Sequence, residues 1–245
     1  MSNLGWRYGV GVVALGDATL FDWNWSRVES LYLHALSLNP NSTIAHDFYG
    51  ILYLSAMGRH EEAIAEVKRA VALDPLSALY PHDLGWVLQI ARQYDAAIEQ
   101  FQKALQMESG MNNAYRGLGE SYAYKGRHEQ SIEAMQNLVK TSDGSPYALA
   151  SLGWAYGVAG KKGEALKVLD TLKEKANLEP VAPSDFARIY LGLGDKDQAL
   201  FWLEKMYEER SGMWILVWAN HFPFFDGLRA EPRFKALMKK IGLEK

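Results

Sequence analysis

Small and large apolar residues recur at a fixed interval along the middle of this chain. One position of the pattern holds a small residue, the next holds Ile or Leu, and the position three further on holds a larger apolar residue. We call these three columns the ladder, and they hold Ala63, Ala97, Ser131, Ala165 and Ala199; Ile64, Ile98, Ile132, Leu166 and Leu200; and Val67, Phe101, Met135, Leu169 and Leu203. A period of about 34 residues, kept without gaps in several columns, is typical of stacked helical hairpins.

Glycines repeat in step with the ladder and divide each unit into two helices. Leu-Gly pairs stand at 84–85, 118–119 and 152–153, and single glycines follow at 126, 160 and 194. A glycine after a run of helical periodicity favours a helix end, and short loops favour antiparallel neighbours. The small column should let two helices approach closely, while a larger residue such as Phe101 fills the space beside the contact. Because no pair buries its own apolar face, each needs its neighbour.

The pattern predicts an all-α solenoid of about six helix pairs in a single domain, residues 1–245. Residues 1–40 form a degenerate first repeat, 41–210 hold five regular repeats, and 211–245 form a C-terminal cap. In the cap we predict a short helix over Met213–Ala219 and a capping helix opened by Pro232, since terminal faces of a solenoid must be covered. The apolar stripe of that last helix is Phe234, Leu237, Met238 and Ile241.

Over about residues 41–210 these columns resemble the tetratricopeptide repeat. The shared order of residue types is small residue, Gly, aromatic, Gly, Ala, aromatic, Ala and Pro. A closer resemblance is to a bacterial subgroup of these repeats. In that subgroup the repeats form the C-terminal part of larger signalling proteins, whose N-terminal parts include winged-helix, cyclase or serine/threonine kinase domains. The segments that carry this resemblance are residues 73–77, 83–88, 94–100, 192–200, 207–212 and 226–234. The resemblance implies a right-handed superhelix whose first helices line a concave groove. It also implies an interaction or sensory module, free-standing or part of a larger protein.

The composition of the chain excludes several classes of function. The formal net charge of −3 gives no basic surface for nucleic acid, and the absence of cysteine removes thiolate metal sites and thiol catalysis. Apolar runs are too short for membrane insertion, and the first residues do not resemble a signal peptide. No phosphate loop, dinucleotide fingerprint or nucleophile elbow is present, so we expect no enzyme, no cofactor and no metal. We expect a cytoplasmic location, with the periplasm as the alternative.

Carried over by column, the resemblance places ten residues in the concave groove. They are Phe48, His82, Trp86, Gln89, Arg116, Glu120, Tyr124, Tyr147, Trp154 and Arg188. Trp86, Glu120, Trp154 and Arg188 occupy one column of the repeat and should project in one row. Rigid aromatic rings flanked by Arg and Glu suit a peptide or protein segment. The other interpretation, that Trp86 and Trp154 pack between helices, stays open because tryptophan is usually largely buried.

Two classes of function therefore compete. The first is a non-enzymatic scaffold that binds a protein or peptide in the groove. The alternative is a sensor that binds a small molecule or lipid in an aromatic-lined cavity. The aromatic segment Met213–Phe225 could also form a homodimer, provided that its apolar face is not buried within the chain.

Overall fold

The computed structural model of the chain describes residues 13, 20, 22–211 and 214–243. The first part of the predicted degenerate repeat lies almost wholly outside the described residues, as do residues 212, 213, 244 and 245. Within the described parts every regular element is a helix. The prediction of an all-α helical repeat solenoid is confirmed.

Thirteen α-helices, numbered here in chain order, are described. The first four are α1 (Trp25–Leu38), α2 (Thr43–Phe48, continued by a π-helical turn Tyr49–Leu54), α3 (His60–Leu73) and α4 (Leu79–Ile90). Next come α5 (Tyr94–Met107), α6 (Asn112–Tyr124), α7 (His128–Thr141), α8 (Pro146–Val158) and α9 (Lys162–Lys175). The last are α10 (Pro183–Leu193), α11 (Lys196–Glu208), α12 (Trp214–Val217), a 3₁₀ segment Pro223–Leu228, and α13 (Pro232–Lys240).

The ladder lies on the second helix of each pair (α3, α5, α7, α9 and α11). Its residues face inward, apart from Leu166 on α9, which is 41% exposed. All five members of its small column are at most 1% exposed. A Cβ atom added to Gly85 would lie 2.8 Å from the Phe101 ring, and one added to Gly119 would lie 2.8 Å from Met135. The first helix of a pair can therefore approach the second only because glycine stands there, and the larger ladder residue fills the remaining space.

Each hairpin turn passes through a left-handed residue at one repeating column. Glycine stands there at 58, 126, 160 and 194, with φ between 72° and 75°. The same column holds Arg92 in the third unit, also left-handed with φ 63°. A non-glycine residue in this region is disfavoured by its own Cβ, so Arg92 departs from the repeat at a cost of roughly 1–2 kcal/mol.

The end of the chain does more than cover the last repeat. Helix α13 packs beside α11, where Arg233 forms two hydrogen bonds with Glu204 at 3.0 and 2.8 Å. It also reaches the first described helix, since the indole Nε1 of Trp25 donates to the carbonyl oxygen of Ile241 at 2.9 Å. The two ends of the solenoid are thus joined. The prediction of a cap over the last repeat accounts for only part of this arrangement.

Candidate functional site

The four residues of the predicted row lie one on each of α4, α6, α8 and α10. At its centre, a guanidinium nitrogen (Nη1) of Arg188 donates to Oε1 of Glu120 at 2.6 Å. Gln89 Nε2 donates to the other oxygen of Glu120 at 3.3 Å. The Arg116 guanidinium lies 4.3 Å from the ring centre of Trp86 and has a nitrogen 3.6 Å from Glu120. One buried carboxylate therefore faces two arginines.

Burial and charge act in opposite directions on the Arg188 guanidinium. Removal from water lowers its pKa, while the neighbouring Glu120 and Tyr147 raise it, and the net direction is upward. Arg188 therefore stays charged. A buried charge of this kind is tolerated because its partner lies at hydrogen-bond distance, and removal of either partner would leave the other uncompensated.

The row is covered by a segment of the same chain. Residues 214–228, which we call the strap, lie across the row. The rings of Trp218 and Phe222 have their centres 5.6 and 5.0 Å from that of Trp86. Phe224 lies 5.6 Å from Trp154 and 4.7 Å from the Arg188 guanidinium. The row thus contacts aromatic side chains, as a peptide groove would.

Two polar contacts fix the strap to distant repeats. At one end the indole Nε1 of Trp218 donates to the carbonyl oxygen of Ile51 at 2.6 Å. At the other, both terminal nitrogens of Arg92 donate to the carboxylate of Asp226 at 2.8 Å. Arg92, the residue that departs from the glycine column, therefore binds the strap through its side chain.

The strap covers both tryptophans of the row. Trp86 and Trp154 are only 4% and 3% exposed, and Phe222 and Phe224 of the strap lie against them. That these tryptophans bind a partner stays a prediction. The strap also buries Leu216, Val217, Phe222, Phe224 and Phe225. The condition for a homodimer through Met213–Phe225 is therefore not met at these side chains.

An open cavity of about 320 Å³ remains beside the strap. It is bounded by residues of α4, α6, α8 and α10 and by the strap as far as Phe222. Its walls are Trp86, Asn113, Arg116, Tyr147, Ser184, Asp185, Arg188, Trp214, Ile215, Trp218 and Phe222. Four of the ten predicted groove residues are among them, namely Trp86, Arg116, Tyr147 and Arg188.

Aromatic and charged groups alternate around this open cavity. The Arg116 guanidinium lies between Trp86 and the ring of Tyr147, 5.4 Å from the latter. Tyr147 donates its hydroxyl hydrogen to Oδ1 of Asn113 at 3.0 Å. Burial raises the pKa of Asp185 to about 6, with Arg188 acting in the opposite direction. Asp185 was not predicted, because only its neighbours in the helix fit the columns read from the resemblance.

The other six predicted residues lie away from the open cavity. Gln89 and Glu120 are fully buried in the central charged cluster. Tyr124 packs edge-on against Trp154, and His82 lies 2.7 Å from the Asp83 carboxylate through its Nδ1 atom. Trp154 is beneath Phe224, and Phe48 is half-buried at the side of the core.

A pair of buried carboxylates was not predicted from the sequence. Asp47 on α2 is fully buried, and as a carboxylate it meets no hydrogen-bond donor among the described residues; in its protonated form it can share a hydrogen bond with Asp83. Burial, together with the negative charge of Asp83 on α4, raises the pKa of Asp47 well above its ordinary value. Its neighbour His46 points elsewhere, to Glu66 at 2.5 Å. In the part of the chain that the structure describes, no group of acidic and histidine side chains could hold a metal ion.

Comparisons with known proteins agree with the fold. Models of the tetratricopeptide repeat match residues 48–75 and 82–146. Small glutamine-rich tetratricopeptide repeat-containing protein 2 of Mycosarcoma maydis is 30% identical over 108 residues, which are 44% of this chain and 30% of that protein. The match thus spans less than a third of that relative's length.

Solved structures show the same architecture. The crystal structure of MamA matches with a TM-score of 0.54 and 28% identity, over 66% of this chain and 94% of that one. A tetratricopeptide repeat protein from Parabacteroides merdae matches with a TM-score of 0.66 and 16% identity, over 86% and 82% of the two chains. None of the helices described for this chain is both long and apolar enough to span a bilayer.

Proposed function

We propose that this chain is a non-enzymatic interaction scaffold that binds a peptide or protein segment on its concave face, at the open cavity beside the strap. Tetratricopeptide repeats are recognised in it, and proteins built from these repeats are generally interaction scaffolds without catalysis. The observation that carries the proposal is the lining of the cavity. Pre-positioned aromatic rings alternate there with fixed charges, which is the chemistry of an interaction hot spot.

The lining would recognise a partner with little rearrangement. The Arg116 guanidinium is already held between two rings, and Tyr147 is fixed by its hydrogen bond to Asn113. Side chains that are ordered before binding lose little conformational entropy when a partner docks. The apolar walls supply burial, while Asp185 and Arg116 supply polar groups that would orient the segment.

We also propose that the chain serves as a module of a bacterial signalling or regulatory protein in the cytoplasm. The support is the resemblance of strings such as 192–200 and 226–234 to the repeats that end such proteins. A genomic sequence that places a winged-helix, cyclase or kinase domain in the same reading frame would support this context. A reading frame that encodes a secreted protein would contradict the proposed cytoplasmic signalling context.

The site can be tested by photo-crosslinking in cells. A photoreactive residue replaces Ser184 at the cavity wall in one variant and exposed Leu166 on α9 in another. We expect a protein that is crosslinked from position 184 and not from 166, and that is lost when Tyr147→Ala is added. The proposed site would be contradicted if the same proteins were crosslinked from both positions. It would also be contradicted if Tyr147→Ala left the crosslinking from position 184 unchanged.

A further inference from the structure

The strap lies in the groove as a bound segment would. We propose that it is an exchangeable internal ligand, and that the groove beneath it accepts a partner segment with the same chemistry. That chemistry is a tryptophan, phenylalanines four and six positions later, and an acidic residue eight positions later, as in Trp218, Phe222, Phe224 and Asp226. This inference rests on the proposed function and extends the binding surface beyond the open cavity.

The contacts between strap and groove define this pattern from end to end. Trp218 donates a side-chain hydrogen bond to the π-helical turn, at Ile51. Phe222 and Phe224 lie on Trp86 and Trp154, and Phe224 also covers the Arg188 guanidinium. Each phenylalanine therefore meets a residue of the row. Aromatic anchors of this kind dominate the affinity of protein segments for grooves.

The acidic position is matched by a dedicated arginine. Arg92 stands in a column that otherwise holds glycine at 58, 126, 160 and 194, and it keeps their left-handed backbone. Its guanidinium binds the Asp226 carboxylate through two parallel hydrogen bonds of 2.8 Å. A planar two-point contact of this geometry selects a carboxylate. The groove thus specifies charge at one end and aromatic rings along its length.

The strap can leave the groove while the rest of the chain stays folded. It lies between α11 and α13, and α13 is held to the solenoid by its own contacts. Arg233 binds Glu204, Lys196 binds Glu231 at 2.7 Å, and Trp25 binds the Ile241 carbonyl. The strap itself has only a single helical turn and a 3₁₀ segment. A segment with so little regular hydrogen bonding of its own can open locally at a lower free energy than the long helices.

A labelled peptide tests the exchange directly. Its sequence is that of residues 214–231, and its binding to the intact chain is followed by fluorescence anisotropy. We expect saturable binding in competition with the chain's own strap. Asp226→Asn in the chain weakens that strap and should tighten peptide binding about two- to five-fold, the range expected for an exposed ion pair. The matched control Asp170→Asn removes an exposed carboxylate of α9 and should leave peptide binding unchanged.

Substitutions in the peptide test its chemistry without any risk to the fold. Peptides with Trp218→Ala or Phe224→Ala should bind about tenfold more weakly or worse, as expected for central aromatic anchors. A peptide with Asp226→Asn should lose about two- to five-fold. A scrambled peptide of the same composition should not bind.

The proposal is overturned if neither the wild-type chain nor Asp226→Asn binds the peptide saturably, or if the scrambled peptide binds equally well. These outcomes are separate from the fate of the proposed function. If the peptide does not bind while a protein is still crosslinked from position 184, only the proposal that the strap is exchangeable is wrong. If the peptide binds as expected while position 184 crosslinks nothing selectively, only the open cavity is wrong as a partner site.

Discussion

The ladder and the strap both keep large apolar side chains from water, but they do so through different kinds of contact. The Phe101 ring in the ladder lies against Gly85 on α4 and Gly117 on α6, the helices just before and just after its own. In the strap, Trp218 bonds to a residue 167 positions earlier, and Asp226 bonds to one 134 positions earlier. The ladder repeats its contacts in every unit, whereas the strap makes each of its contacts once.

This difference predicts different energetic roles for side chains of equal burial. A ladder residue joins neighbouring helix pairs, so its loss weakens the cooperative unit that both pairs belong to. A strap residue joins a short segment to a surface that is already complete. Its loss can cost no more than the free energy that holds the strap in the groove, because beyond that point the strap opens while the solenoid remains.

Phenylalanine truncation should separate the two regions most strongly. Phe101 and Phe222 are 0% and 1% exposed. We expect Phe101→Ala to lower the free energy of unfolding by about 3–5 kcal/mol, the cost of a large cavity in a packed core. Phe222→Ala should cost less, since the strap can leave. Urea unfolding followed by far-UV circular dichroism measures both, and equal losses would contradict the comparison.

Overpacking the ladder should have the next largest effect. Ala97→Leu places three extra carbons where the helices touch, and we expect it to destabilise the chain by about 1–3 kcal/mol. The matched control is Ala236→Leu, the same exchange at an exposed position of α13. Thermal unfolding of the two variants should show a lowered midpoint for the first only. An unchanged midpoint for Ala97→Leu would show that the helix contact is placed wrongly.

The buried carboxylate pair should make stability depend on pH. The folded state raises the pKa of Asp47 through burial and the facing charge of Asp83, so it holds a proton that the unfolded chain releases. This contribution is complete below the pKa of an ordinary Asp side chain and is lost as the pH rises. Asp47→Asn should therefore gain stability relative to wild type with increasing pH. Urea unfolding at acidic and alkaline pH checks this, and a constant difference between the two proteins would contradict it.

The smallest effect should come from the ion pair at the end of the strap. The side chains of Arg92 and Asp226 are 50% and 44% exposed, so water and salt screen the pair. We expect Asp226→Asn to lower the free energy of unfolding by about 0.2–1 kcal/mol, and by less at high salt. A larger loss that is independent of salt would show that Asp226 supports the fold in another way.

The sequence predicted the contacts that repeat and missed those that occur once. The burial of Ala63, Ala97 and Ser131 and the left-handed turns at Gly126 and Gly160 follow from columns that recur in every unit. The assignment of the row to one residue on each of α4, α6, α8 and α10 rests on the same repetition.

The position of the strap could not be read in this way. Nothing periodic relates Trp218 to Ile51, and apolar residues after the last repeat suggest a cap as readily as a segment in the groove. Arg92 was the one available signal, because an arginine in a glycine column departs from the pattern without an obvious local reason. The burial of Asp47 beside Asp83 was missed because both look like ordinary helix positions in the sequence.

Hydrogen exchange in the intact chain tests the central claim most directly. Backbone amides of the strap, residues 214–228, are compared by mass spectrometry with those of α5 and α7, which carry ladder residues. We expect the strap amides to exchange through an opening of lower free energy, and Asp226→Asn to speed their exchange while the helices stay unchanged. Strap amides that exchange only together with α5 and α7, at the rate of global unfolding, would show that the strap is an inseparable part of the core.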